Sequence, residues 1–90
     1  MNSDHKGEDV IVEEIASAEE QIAVGANYWH YKDQNKLYQV IGFGVAEAND
    51  ELCVIYQAQY GQKLTFIRPL TSWLENVAWQ NSSVPRFTKV

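Results

Sequence analysis

Ninety residues leave room for one hydrophobic core, and the net charge of -5 resides almost wholly in the first part of the chain. Residues 1–24 carry seven carboxylates against Lys6 alone, whereas residues 25–90 sum to +1, so the acidity belongs to the leader and does not by itself argue against nucleic acid, although nothing resembles a basic stripe. The single cysteine, Cys53, excludes an intrachain disulfide scaffold and points to a cytoplasmic setting.

The first residues mix small, polar and charged types without a period, so an unstructured tail is expected over 1–8, and with no apolar stretch behind a basic one these residues are not expected to be a signal peptide. No window approaches the roughly 20 apolar residues of a membrane span, so no membrane partner is expected. From Asp9 the apolar residues Ile11, Ile15, Ala18 and Ile22 recur at helical spacing while Glu13, Glu14, Glu19 and Glu20 point elsewhere. This predicts an acidic helical segment over 9–24. A helix so short is marginal alone in water. It must dock on the body of the domain or on a partner, a homodimer through this helix being one option. Val10-Ile11-Val12 can instead be read as a short strand, and Gly25 is the natural stop for either reading.

After Asn27 the texture turns aromatic and β-branched, interrupted by turn formers, which predicts a β domain over 25–90 with about five strands. Tyr28–Lys32 reads as the first strand and Asp33–Lys36 as a polar turn. Leu37–Ala46 is a longer strand in which Gly42 and Gly44 suggest a bulge or sharp bend. Strands over Leu52–Gln59 and Leu64–Arg68 follow. Pro69 stops the second of these, since proline has no amide to give to a ladder. A helical turn is expected at Leu70–Glu75, and Val77–Gln80 and Val84–Thr88 are expected to close the sheet. Short antiparallel strands in so small a domain must curl to hide their apolar face, so the expected fold is a mainly β, SH3-like, partly open barrel with a short N-terminal helix.

At this point the motifs become specific. The segments Tyr28-Trp29-His30-Tyr31-Lys32, Tyr38-Gln39-Val40-Ile41-Gly42, Val54-Ile55-Tyr56, Tyr60-Gly61, Arg68-Pro69-Leu70 and Val84-Pro85-Arg86-Phe87 resemble, in order and rough spacing, the bacterial family of domain of unknown function 1653. The resemblance covers about Gly25 to Phe87 and implies a compact, mostly β module. It supplies no activity, and the leader before Gly25 looks like an addition to the minimal family unit.

Candidate chemistry is sparse. His5, His30 and Cys53 lack the close pairs of a zinc site, so no metal and no cofactor is expected. Cys53, between Leu52 and Val54, reads as a small buried hydrophobe. Gly42-x-Gly44 lies inside a strand and reads as backbone geometry rather than a phosphate cradle. Tyr28, Tyr31, Tyr38, Tyr56, Tyr60, Trp73 and Trp79 are the aromatics from which a surface groove can be drawn, although most must fill the core. Period-two alternation groups Tyr28, His30 and Lys32 on one strand face, and their polar tips suggest that this face meets solvent.

The leading expectation is a non-enzymatic binding module whose aromatic and basic patch (Tyr28, His30, Lys32, Tyr60, Arg68 and Arg86) takes a peptide, a nucleotide or another small anionic ligand. Nucleic acid is a weaker candidate partner. Two alternatives stand beside it. One is a small enzyme acting on nucleotide-like metabolites with His30 as acid or base, and the other a structural, oligomer-forming protein that uses the N-terminal helix.

Overall fold

The computed structural model describes residues 6–90. The tail expected over 1–8 falls for its first five residues outside the described range, as does His5, while Glu8 already belongs to a helix. That helix, α1 (Glu8–Gln21), carries Glu8 and Asp9 in its first turn, where their charges oppose the exposed amide dipoles. Gly25, at φ +89°, turns the chain into the sheet.

The apolar stripe of α1 meets the body of the domain. Ala18 (0% exposed) and Ile22 (1%) are fully buried, and α1 packs against the strand β3 (Glu51–Ala58). Its start is tied down as well, because the Lys6 amide donates to Asp50 Oδ2 at 2.6 Å and Lys6 Nζ pairs with Glu14 at 3.1 Å.

β1 (Asn27–His30), β2 (Asp33–Ala46), β3, β4 (Thr65–Pro69) and β7 (Phe87–Lys89) form an antiparallel sheet in the order β4-β3-β2-β1-β7. The chain turns at Tyr31 and Lys32, earlier than the sequence suggests. His30 pairs with Asp33, but Trp29 pairs with Leu37, so Gln34, Asn35 and Lys36 bulge out of the ladder. The polar run is thus an irregular strand start rather than the turn itself. The Asp33 carboxylate stabilises it by accepting the Asn35 amide at 2.9 Å.

A second irregularity sits where the sequence places it. Val40 pairs with Tyr56 and Gly42 with Ile55, leaving Ile41 as the extra residue of a bulge that bends the long strand. The sheet curls into a small, open, barrel-like shell, and the fold is mainly β with a short N-terminal helix. The concave side holds Ile22, Tyr28, Val40, Val54, Tyr56, Trp73 and Phe87.

The strand count differs from expectation. After the short helix α2 (Leu70–Trp73), β5 (Asn76–Trp79) and β6 (Ser82–Pro85) pair, among the described residues, only with each other, which makes seven strands there rather than about five. Gln80 and Asn81 both adopt left-handed conformations (φ 51° and 66°), the two-residue turn whose twist matches a hairpin, so Val77–Gln80 folds back locally instead of joining the main sheet. Only β7 closes onto β1. Arg86 links the two sheets through its backbone, donating to the Glu75 carbonyl and accepting from the Tyr31 amide, each at 3.0 Å.

Candidate functional site

All five strands of the main sheet contribute to one cleft of about 200 Å³. Its lining is His30 from β1, Tyr38 from β2, Tyr56 from β3, Phe66 and Arg68 from β4, and Phe87 from β7. Register explains the convergence, since Tyr56 stands opposite Phe66 and His30 opposite Phe87 on adjoining strands, with side chains on the same face. The floor is rigid. Phe87 stacks on Trp73 with centroids 3.8 Å apart and planes within 7°, and Tyr56 meets both rings edge-on.

Arg68 provides the charge. Its Nε–H donates to the Tyr56 hydroxyl at 3.3 Å, its Nη1 to Ser72 Oγ at 2.9 Å, and the guanidinium lies 5.6 Å from the Phe87 ring centre. Among the described residues no carboxylate pairs with it. Arg86 differs, because its Nη2 is held by Glu75 at 2.7 Å and its Nε by the Ser72 carbonyl at 3.0 Å.

Burial, followed by the neighbouring charges of Arg68, Arg86 and Lys32, pushes the pKa of His30 below its ordinary value. Its Nδ1 accepts the Lys32 amide at 3.3 Å, so the neutral ring carries its proton on Nε2. At the opposite wall the Tyr38 and Tyr60 hydroxyls share a hydrogen bond of 2.5 Å. Burial, and then that bond, raise the pKa of Tyr38, which keeps the phenol neutral. No group of three or more metal-ligating side chains occurs among the described residues.

Of the residues singled out from sequence, His30 and Arg68 line the cleft and Tyr60 reaches its rim through Tyr38. Lys32 sits in the adjoining turn with its ammonium 5.8 Å from the Tyr31 ring, and Arg86 is tied to Glu75. Tyr28 requires correction. It is 6% exposed and its hydroxyl accepts the Ala23 amide at 2.9 Å, because the face it shares with His30 is the concave one. Phe66, Ser72 and Phe87 were not singled out. Phe66 was within reach of sequence reasoning, standing two residues before Arg68 on the same strand face.

A larger groove of about 460 Å³ runs past Trp29, Tyr31, Trp79 and Pro85, but its lining carries no charged side chain. Among the described residues no helix is long and apolar enough to cross a membrane.

The fold and cleft define a small, mainly β domain in which a curled sheet sets one arginine among aromatic rings. The chain belongs to the family described as Protein of unknown function (DUF1653), which matches residues 26–89 and so leaves α1 outside the matched region. It is also similar to the crystal structure of a protein of that family from Bordetella bronchiseptica, with 30% identity, a TM-score of 0.66, and coverage of 78% of this chain and 90% of that one. No curated protein matches.

Proposed function

We propose that this domain is a binding module that captures the anionic group of a small ligand at Arg68, with the ligand's apolar part against Phe66, Phe87 and the two tyrosines of the cleft. The observation that carries this reading is the state of Arg68. A half-buried guanidinium without a counter-ion is costly to a fold, and here neutral hydroxyls and a ring face hold it in place. Two of its five N–H groups are used by Tyr56 and Ser72, which leaves donors for a ligand. The depressed His30 keeps a second cation from forming beside it, and its ring supplies a neutral donor.

The test is a set of phenyl-bearing anions titrated against the wild-type protein and Arg68→Met, with binding followed by the fluorescence of Trp73 beneath the cleft. At least one anion should saturate the wild-type signal, and the variant should bind it at least about tenfold more weakly while remaining folded. Equal binding by the variant, or no saturable binding to the wild type, would remove the proposal.

A further inference from the structure

We infer that the cleft at Arg68 selects a single planar carboxylate carried on a ring-sized apolar group, in preference to a phosphate. This rests on the anion-binding reading above and narrows it to one ligand class.

Charge is the first argument. The cleft offers one uncompensated cation, since Arg86 is neutralised by Glu75 at 2.7 Å and His30 is held toward its neutral form by burial and by the surrounding cations. Lys32 lies over Tyr31, in the adjoining turn. A monoanion meeting Arg68 leaves a balanced pair. A phosphate monoester is close to dianionic above neutral pH and would leave one charge desolvated without a partner.

Donor geometry is the second. With Nε committed to Tyr56 and one Nη1 proton to Ser72, the remaining N–H groups are on the two terminal nitrogens of the guanidinium. That end of the fork matches the two oxygens of a carboxylate. His30, in the same cleft lining, adds one neutral N–H donor, because its Nδ1 is taken by the Lys32 amide. A phosphate has a third terminal oxygen, and burying it would need a further donor.

Size is the third. A cleft of about 200 Å³ is smaller than the roughly 300 to 1,000 Å³ of pockets that hold drug-sized molecules, so it suits one ring or one residue rather than a whole nucleotide. Two sources present such a group, a free aromatic acid and the C-terminal residue of a peptide.

The experiment titrates phenylacetate, N-acetylphenylalanine, phenyl phosphate and phenylacetamide, slightly above neutral pH, against the wild type, Arg68→Lys and Arg68→Met. At least one of the two carboxylates should bind about tenfold or more tightly than phenyl phosphate, and the amide should show no saturation. Arg68→Lys should lose most of that affinity, since an ammonium cannot engage both oxygens. Tighter N-acetylphenylalanine assigns the site to a peptide terminus, and tighter phenylacetate to a free acid. Arg68-dependent binding that favours phenyl phosphate would overturn the carboxylate inference while leaving the anion-binding module standing. If no probe binds in an Arg68-dependent way, both readings fall.

Discussion

Phe87 is the residue at which the stability of the domain and the shape of its cleft meet. Its ring is 8% exposed, stacks on Trp73 at 3.8 Å, takes edge contacts from His30 and Tyr56 at 5.2 and 5.5 Å, and lies beneath the Arg68 guanidinium. Truncating a buried aromatic to alanine costs about 3 to 5 kcal/mol, the spread reflecting how far the cavity collapses. Collapse is restricted here, because Phe87 is pinned on β7 by its ladder to β1 and Trp73 is fixed by two other rings. The upper half of that range therefore applies. A domain of this length has about 5 to 13 kcal/mol in all. With a slope of about 1.5 kcal/mol per molar urea, Phe87→Ala should lower the urea midpoint by about 2.7 to 3.3 M, read from tryptophan fluorescence. Phe87→Leu, which keeps most of the volume, should cost no more than about 1.5 kcal/mol. It should still weaken ligand binding, because the flat floor is gone. A Phe87→Ala protein within about 1 kcal/mol of wild type would refute the account of the core.

Four further outcomes concern His30, the β5-β6 hairpin and Cys53. Because the folded state depresses the His30 pKa, the unfolded chain binds its proton first as pH falls through the ordinary value of 6.5, so the stability tied to neutral His30 is complete above that pH and declines below it. His30→Gln should flatten this acid-side decline in melting temperature. In Arg68→Met the His30 titration, followed by NMR, should move upward without reaching 6.5, burial being the larger cause. In the β5-β6 hairpin, Gln80→Asn combined with Asn81→Gly suits the two left-handed positions and should raise the melting temperature by about 3 to 6 °C. Cys53 is 5% exposed, and burial and then Glu51 push its pKa up, so thiol reagents should modify it only at the rate of local opening, with full reaction in denaturant.

Much of the architecture is legible in the sequence because periodicity reports directly on burial. The Ile11, Ile15, Ala18, Ile22 stripe announces α1, and its last two members are the fully buried ones. Paired glycines announce the bend at Ile41. Alternation correctly places Tyr28 and His30 on one face, but a period of two does not say which face of a curled sheet is concave, and Tyr28 went to the core for that reason. Lys32 leaves the pattern because the chain has already turned. The β5-β6 hairpin was hidden, since its left-handed pair is Gln80-Asn81 with no glycine to mark it. Arg68 and His30 stood out by residue type. Their meeting depended on strand order, β4 and β1 being separated by two strands, and local sequence patterns do not encode that.

The central claim is tested most directly by following side-chain N–H resonances of labelled protein during a phenylacetate titration. The Arg68 Nε–H signal should shift saturably together with the indole signal of Trp73, while those of Arg86, Trp29 and Trp79 stay nearly still. Movement concentrated at Trp29 and Trp79, or an Arg68 signal that does not respond, would place binding elsewhere and contradict the account.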